Sequence, residues 1–285
     1  MNKSLLIIAH FFRPEESSIY SSTMESMRNQ RTYALYEAVK SWRAIFDDTA
    51  TLNIEHKKFL LSSSASGALD IIIIVNENNH LIQSEFAHQA RLKIVRVKTS
   101  NPRLLPFAAH RVAADYREQY DWFFYSEDDL AVRDPSFFFK LKAFQELFGT
   151  NRALQPNRYE INFKGTKTKT YIDGDLRAGF IEPYLKLVNE EHDALTLPFL
   201  GHTITLERAR NPHSGFFALS SQQLKHWICQ KHFNDLDSSF VSPLESAATL
   251  GLIKTFSVFK SSPPNQAYFE IEHLDRKFSS LKLSP

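Results

Sequence analysis

Three consecutive carboxylates, Glu127, Asp128 and Asp129, follow the aromatic segment YDWFFYS at 120–126 directly. Like charges repel, and carboxylates are costly to bring out of water beside a core. Glu127 and Asp129 have the i, i+2 spacing that places two side chains on one side of an extended chain. Hard oxygen ligands of this kind suit Mg²⁺ or Mn²⁺, typically shared with a diphosphate. The triplet therefore predicts a metal–diphosphate site, and the alternative is a solvated turn in which Asp134 caps the following helix.

The elements before the triplet predict an α/β fold. Continuous apolar runs are typical of strands buried in a parallel sheet, and stretches with helical spacing lie between them. Such alternation favours a mostly parallel sheet flanked by helices, in which ligands bind beyond the carboxyl ends of the strands. The triplet lies at such an end. The predicted strands are 4–9, 51–55, 70–76, 92–98 and 120–126, and the predicted helices are 23–46, 81–89 and 103–119.

The second half of the sequence predicts a more mixed arrangement. Pro135 and Gly149 bound an amphipathic helix, and Ser242, Pro243 and Gly251 bound a second helix of about two turns. A further helix is predicted at 221–230, strands at 215–220, 255–260 and 266–273, and a polar loop or exposed hairpin at 162–179. No linker divides the chain, so we expect one domain over residues 1–285.

Composition and charge exclude several classes of protein. The 34 basic and 32 acidic residues give a net charge of +2, which does not support nucleic-acid binding through bulk positive charge. The single Cys229 can form neither an intrachain disulfide nor a cysteine-based zinc site. The apolar runs are too short to span a bilayer. A single cysteine fits an intracellular location, so we expect a cytoplasmic protein.

The segment YDWFFYSEDDLAVRDPSFF resembles the acidic metal-binding motif of GT-A-type glycosyltransferases, with Glu127 in place of the first Asp of Asp-x-Asp. The resemblance implies a GT-A-like, Rossmann-like fold. Residues 1–134 would form the nucleotide-sugar-binding half and 135–285 a mixed acceptor-side half. It implies Mn²⁺ or Mg²⁺ as cofactor and a UDP- or GDP-sugar as donor. The acceptor would be a glycan or a lipid-linked molecule in bacterial glycan synthesis.

The resemblance also implies roles for residues after the triplet. Gly215 would belong to a glycine loop, Glu245 would act as catalytic base or orient the acceptor, and His273 would complete the metal shell begun by Glu127 and Asp129. Each has an ordinary structural alternative. Gly215 could serve a tight turn, Glu245 could favour the positive end of its helix, and His273 could be a surface histidine.

On the donor side, the resemblance implies that His10 lies beside the base and ribose and that Asp128 contacts the bound cofactor. Arg28 and Arg31 share a helix face and could hold a diphosphate, although a solvated basic stripe is the alternative. Lys164, Lys167 and Lys169 form a basic segment. That segment could be a solvated loop, or it could meet an anionic acceptor or a membrane surface, which would make the protein peripherally membrane-associated.

Two other functions fit an acidic cluster. One is metal-dependent nucleotidyl transfer or phosphoester hydrolysis, although the loop after the first strand, AHFFRPEESS, contains no glycine to surround a phosphate chain. The other is a non-catalytic sugar- or metal-binding protein. The sequence favours glycosyl transfer from a nucleotide-diphosphate sugar to an acceptor hydroxyl, and inversion and retention of the anomeric centre both stay open.

Overall fold

The structure is a computed structural model of the 285-residue chain, and it describes residues 2–14, 24–162, 168–275 and 278. The strands are β1 (Lys3–His10), β2 (Thr49–Asn53), β3 (Lys58–Ser62), β4 (Ala68–Asn76), β5 (Leu92–Val97), β6 (Trp122–Glu127), β7 (Leu130–Ala131), β8 (Arg152–Leu154), β9 (Asn157–Ile161), β10 (Lys169–Tyr171), β11 (Ala194–Phe199), β12 (His202–Arg208), β13 (Phe216–Ser220), β14 (Ser257–Ser261) and β15 (Glu270–His273). The α-helices are α1 (Arg28–Phe46), α2 (Ser84–Gln89), α3 (Ala108–Asp115), α4 (Phe137–Phe148), α5 (Ala178–Leu185), α6 (Ser221–Ile228) and α7 (Pro243–Ile253). Short 3₁₀ segments cover Glu25–Met27, Pro102–Phe107 and Pro263–Tyr268.

A five-stranded sheet in the order β13-β6-β1-β4-β5 forms the centre of the molecule. β1 pairs in parallel with both β4 and β6, β4 pairs in parallel with β5, and β13 runs antiparallel to β6. The predicted α/β class with a mostly parallel sheet and flanking helices is therefore confirmed. The carboxyl ends of β1 and β6 lie side by side, with Ala9 opposite Glu127.

Apolar cores cover both faces of the central sheet. Ile8 faces one core together with Trp42 of α1 and Phe138 of α4. Its neighbour Ile7 faces the opposite core, which contains Trp227 of α6. Because consecutive strand residues point to opposite faces, the middle of a strand covered on both sides must be apolar, as residues 5–9 of β1 and 71–75 of β4 are.

Two four-stranded sheets are built largely from the second half of the chain, in the orders β10-β9-β15-β7 and β11-β12-β14-β8. The two-residue strand β7, which directly follows the acidic triplet, pairs antiparallel with β15 so that Leu130 lies opposite His273. This pairing brings a residue late in the sequence next to the end of β6.

Several predicted elements are corrected by the structure. The predicted strand at 51–55 belongs to an antiparallel hairpin of β2 and β3 that is separate from the central sheet. The segment 162–179, predicted as a loop or exposed hairpin, contains β10, which pairs antiparallel with β9, and also the start of α5. The strands β11 and β12 were not predicted at all. The predicted strand at 266–273 begins as a 3₁₀ turn because Pro263 and Pro264 cannot donate to a strand ladder. None of the described helices is both long and apolar enough to cross a membrane.

Candidate active site

The acidic triplet lies at the carboxyl end of β6, but it is not a solvated turn. Asp128 and Asp129 are only 7% and 8% exposed, and Glu127 keeps 22% of its side chain exposed. Three carboxylates buried this far require neighbouring positive charge, a bound cation or protonation. The neighbours of each residue show how this requirement is met.

Arg31 of α1 holds the two aspartates together. Its Nη2 donates to Asp128 Oδ1 at 2.5 Å and its Nη1 donates to Asp129 Oδ2 at 2.9 Å. The arginine side chain is 11% exposed, so this is a buried ion pair with two carboxylates. Burial alone would raise the pKa of Asp128, but the charge of Arg31 and the hydrogen bond with His10 hold that pKa well below its usual range.

His10 links three segments at the end of the sheet. Its Nε2 accepts a hydrogen bond from the backbone N–H of Leu81 at 3.0 Å, so its Nδ1 carries the proton and donates to Asp128 Oδ2 at 2.5 Å. The side chain of His10 is fully buried. The structure therefore places His10 against the acidic triplet, and its predicted contact with base and ribose stays a prediction.

His273 approaches Asp129 from β15. Its Nε2 lies 3.7 Å from Asp129 Oδ2, and its Nδ1 lies 2.8 Å from Glu160 Oε1 of β9. A carboxylate that accepts from one ring nitrogen of a histidine orients the other nitrogen toward a metal in many metal sites. Burial lowers the pKa of His273, but Asp129 and Glu160 outweigh burial and raise it overall. The structure thus places His273 beside Asp129 and adds Glu160, while the role of His273 as a metal ligand stays a prediction.

Glu127 lies against Gly215, which precedes β13. The backbone N–H of Glu127 donates to the Gly215 carbonyl at 2.8 Å. Gly215 has a φ of +58°, and a Cβ at this position would lie 2.3 Å from Glu127 Oε2. Glycine therefore allows the close approach of this carboxylate, whereas the predicted contact of Gly215 with a cofactor stays untested. Burial and nearby Asp129 raise the pKa of Glu127 to about 7, although Arg158 opposes this shift.

Sequence reasoning missed a buried ionic cluster beside Glu127. Arg158 Nη2 lies 2.8 Å from Asp173 Oδ1, and Lys260 Nζ lies 2.9 Å from Asp173 Oδ2. Arg158 Nη1 is also 3.9 Å from Glu127 Oε2. Arg158 and Asp173 are 15 residues apart and Lys260 is a further 87 residues away, so no local pattern connects them. The only signal for this cluster in the sequence was a single charged residue within a short strand.

His213 lies on the other side of Glu127. Its Nε2 is 4.0 Å from Glu127 Oε1, and its Nδ1 is 3.1 Å from Thr249 Oγ1 of α7. Burial and then Arg158 lower the pKa of His213 well below its ordinary value, so the ring is neutral at physiological pH. It can therefore offer a nitrogen or an N–H group to a ligand without adding charge.

Glu245 lies in the first turn of α7, where the helix dipole favours a carboxylate. The Ser242 hydroxyl donates to the Glu245 carboxylate and fixes its direction. Glu245 is close enough to Glu127 to contribute to the raised pKa of that residue. The structure thus brings the predicted base near the triplet, and its catalytic role stays a prediction.

The basic residues Arg28 and Lys169 each form an ion pair with a carboxylate that lies outside the acidic triplet. Arg28 pairs with Glu25 at 2.6 Å, and its guanidinium lies 5.0 Å from the centre of the Phe12 ring. Lys169 pairs with Glu270 at 2.5 Å. Lys164 and Lys167 lie outside the described residues. The predicted contacts of these side chains with a diphosphate or an anionic acceptor therefore stay predictions.

The donor set around Asp129 fits a divalent cation in its chemistry. Among the described residues, no group of three or more His, Cys, Asp or Glu side chains is already arranged to hold a metal ion. However, Asp129 Oδ1 is buried and has no hydrogen-bond partner within the same described part of the chain. A buried carboxylate oxygen without a partner, next to an oriented histidine and a second carboxylate, suits Mg²⁺ or Mn²⁺. Asp129, His273 and Glu127 would be its ligands.

Solved structures to which this chain is similar include glycosyltransferases of the GT-A type, the class that the sequence resembles. One is S. aureus TarS 1–349 in complex with UDP-GlcNAc, at 13% identity and a TM-score of 0.44, covering 100% of this chain and 62% of that one. A longer S. aureus TarS structure is 12% identical with a TM-score of 0.43, covering 90% of this chain and 35% of that chain. The third is glucosyl-3-phosphoglycerate synthase from Mycobacterium tuberculosis, in complex with Mn²⁺, UDP and glucosyl-3-phosphoglycerate. It is 12% identical with a TM-score of 0.34, covering 78% of this chain and 57% of that chain.

No family model and no curated protein matches the sequence. The chain spans between about a third and three fifths of the length of the solved structures above. At these identities and TM-scores the likeness does not decide activity, donor or acceptor, which must be argued from the site itself.

Proposed function

We propose that this protein transfers a glycosyl group from a nucleotide-diphosphate sugar to an acceptor hydroxyl in the presence of Mn²⁺ or Mg²⁺. The observation that carries the proposal is the unpartnered, buried oxygen of Asp129 at the carboxyl end of β6. His273 lies beside the other oxygen of the same carboxylate, with its Nε2 3.7 Å from Asp129 Oδ2 and its Nδ1 held by Glu160. Parallel sheets bind ligands at this edge, so the cation site and a donor site would coincide.

Asp129, His273 and Glu127 would hold the cation, which when bound would neutralise the charge of the leaving diphosphate. Arg31 would keep Asp129 in place by holding its Oδ2, which leaves Oδ1 for the cation. Since Arg31 also pairs with Asp128, one guanidinium fixes both side chains of the acidic turn.

Glu245 is proposed as the group that receives the proton of the acceptor hydroxyl. In an inverting reaction the acceptor oxygen bonds to the anomeric carbon, the bond from that carbon to the diphosphate oxygen breaks, and the hydroxyl proton passes to the Glu245 carboxylate. The hydrogen bond from Ser242 would hold the carboxylate in place for this transfer. In a retaining reaction Glu245 would only position the acceptor, which we propose to be a hydroxyl of a glycan or of a lipid-linked glycan.

A panel of UDP- and GDP-sugars tests the proposal, with binding measured by calorimetry in Mn²⁺ and in EDTA and with turnover measured as release of the nucleotide diphosphate. We expect one donor to bind in Mn²⁺, and Asp129→Asn to lose that binding. Absence of binding across the panel, or unchanged affinity in Asp129→Asn, would refute the cation site.

The role of Glu245 requires a separate comparison. Glu245→Gln should keep donor binding and lose about 10²- to 10⁴-fold in kcat, the range for removal of a general base. Glu85→Gln is the matched control because Glu85 also lies in the first turn of a helix, so it tests for a purely dipolar effect. Equal turnover in both variants would exclude Glu245 as the base.

A further inference from the structure

Arg158 of β9 places a buried guanidinium beside the acidic triplet. Its Nε and Nη2 lie 2.9 Å and 2.8 Å from Asp173 Oδ1, and its backbone N–H donates to Asp173 Oδ2 at 3.1 Å. Lys260 Nζ also donates to Asp173 Oδ2, at 2.9 Å, and neutralises this carboxylate. The side chains of Arg158 and Asp173 are only 11% and 1% exposed. The direction of the guanidinium is therefore fixed before any ligand binds.

The third nitrogen of this guanidinium lies on the side of the acidic triplet. Arg158 Nη1 is 3.9 Å from Glu127 Oε2, a distance too long for a hydrogen bond. Burial lowers the pKa of the guanidinium, but Asp173, Glu127 and Asp129 outweigh burial and raise it. Arg158 is therefore close to two of the three residues proposed to hold the cation. An N–H donor fixed at this place can bind an oxygen of the same anion that the cation binds.

The two arginines predicted from the sequence to hold a diphosphate already have carboxylate partners. Arg31 donates from Nη1 and Nη2 to the two aspartates of the triplet. Arg28 donates from Nε and Nη2 to Glu25 at the surface. Of these two arginines and Arg158, only Arg158 has an Nη1 that can bind a diphosphate while the ion pair of the same guanidinium stays intact.

We propose that Arg158 is a further catalytic residue, which donates from Nη1 to the terminal phosphate of the departing nucleotide diphosphate. This assignment rests on the function proposed above. When the bond between the anomeric carbon and the diphosphate oxygen breaks, its electron pair stays on that oxygen, so the terminal phosphate gains negative charge. A charge-assisted hydrogen bond is stronger to this product than to the intact donor, so it stabilises the transition state. Asp173 and Lys260 are positioning residues, because they hold the guanidinium in this direction.

Nucleotides that differ by one phosphate test the assignment. Calorimetry in Mn²⁺ compares UDP and GDP with UMP and GMP, because only the diphosphates carry the phosphate that Arg158 would contact. Arg158→Gln should weaken diphosphate binding about 10- to 100-fold, the effect of losing one hydrogen bond between charged groups, and leave monophosphate binding within about threefold. Its kcat should fall about 10²- to 10³-fold with a smaller change in donor KM, since the contact strengthens as charge develops.

Arg152→Gln is the matched control. Arg152 on β8 forms the same kind of two-nitrogen pair with Glu190, at 2.8 Å and 2.6 Å, and its side chain is 22% exposed. This variant should leave diphosphate affinity within about threefold of the wild type, since its partner is not part of the triplet. Mn²⁺ binding without nucleotide gives a second readout. Arg158→Gln should not weaken it, because a positive charge beside Glu127 opposes a bound cation.

The variant Arg158→Lys keeps the positive charge of the cluster, so it serves if Arg158→Gln does not fold in far-UV circular dichroism. Lysine lacks the planar fork that reaches two partners at once, so it should also lose diphosphate affinity. Diphosphate affinity equal to the wild type in the folded variant would overturn the assignment. An equal loss in Arg152→Gln would also overturn it, and so would a parallel loss of Mn²⁺ affinity, since Arg158 would then act through Glu127.

The same measurements separate this assignment from the proposed function. A wild-type chain that binds neither a nucleoside diphosphate nor a nucleotide sugar in Mn²⁺ would refute both together. Donor binding and turnover in the wild type that stay unchanged in Arg158→Gln would refute the role of Arg158 alone.

Discussion

Replacing Arg31 by methionine removes the one guanidinium that contacts both Asp128 and Asp129. The arginine side chain is 11% exposed and the two aspartate side chains are 9% and 11% exposed, so the lost charge cannot be replaced by bulk water without rearrangement. Breaking a buried pair by removing one partner costs about 3–5 kcal/mol because the remaining charge is left uncompensated. Asp128 keeps its hydrogen bond from His10, so we expect the lower end of that range, about 3 kcal/mol.

The assay is urea-induced unfolding at pH 7.5 in EDTA, followed by tryptophan fluorescence. Arg28→Met is the matched control, since Arg28 lies one turn earlier but pairs with Glu25 at the surface, with 43% of its side chain exposed. Surface ion pairs of this kind contribute little to folding stability, so Arg28→Met should have the same free energy of unfolding as the wild type. The free energy of unfolding of Arg31→Lys should lie between those of Arg31→Met and Arg28→Met. Lysine keeps the positive charge but cannot donate to both carboxylates as the planar guanidinium does.

Addition of Mn²⁺ provides an independent readout. The Arg31→Met variant should gain more stability from Mn²⁺ than the wild type does, because the cation would then supply the positive charge that both aspartates lack. A loss of less than about 1 kcal/mol in EDTA, well under the range for a broken buried pair, would refute the reasoning that Arg31 neutralises the acidic turn.

Three further predictions follow from other contacts. Glu160→Gln should lower Mn²⁺ affinity about 10- to 100-fold in calorimetry, the effect of losing the partner of a metal-bound histidine, whereas Glu272→Gln on β15 should not. Gly251→Ala should lower the melting temperature although alanine favours helices, because its Cβ would lie 2.2 Å from Trp227 Cζ2. Burial lowers the pKa of His110 to about 4, so folding stability should fall as pH drops from about 6.5 to 4, by at most about 3 kcal/mol in urea unfolding. His110→Gln should flatten that slope, and an unchanged slope would show that another group causes it.

The central sheet could be predicted because its signals are local. The central residues of β1 and β4 are continuously apolar, and they alternate between two cores that α1 and α6 help to cover. The position of the acidic triplet at the end of β6 followed from the same strand pattern. Its burial did not, because the compensating charge of Arg31 comes from 97 residues earlier in the chain.

The second half of the chain was harder to predict because its strands are short and pair at long range. β7 has two residues and β15 has four, so neither shows an alternating pattern long enough to identify its partner. The cluster of Arg158, Asp173 and Lys260 exists only once three separate segments have packed together. The hairpin of β2 and β3 was wrongly predicted to contribute a strand to the central sheet. Its alternating pattern correctly indicates a strand, but not that this strand lies outside the main sheet.

The pairing of β7 with β15 also sets the order in which the site can be completed during synthesis. The ribosome makes the central sheet, from β1 to β13, before it makes His273, and domains fold progressively as the chain emerges. In that interval Asp128 can already contact His10 and Arg31, whereas His273, the histidine beside Asp129, has not yet been synthesised. The proposed cation site is therefore completed in one late step, when the four-residue strand β15 pairs with the two-residue strand β7. A chain that stops before residue 270 could keep its central sheet and still lack that step.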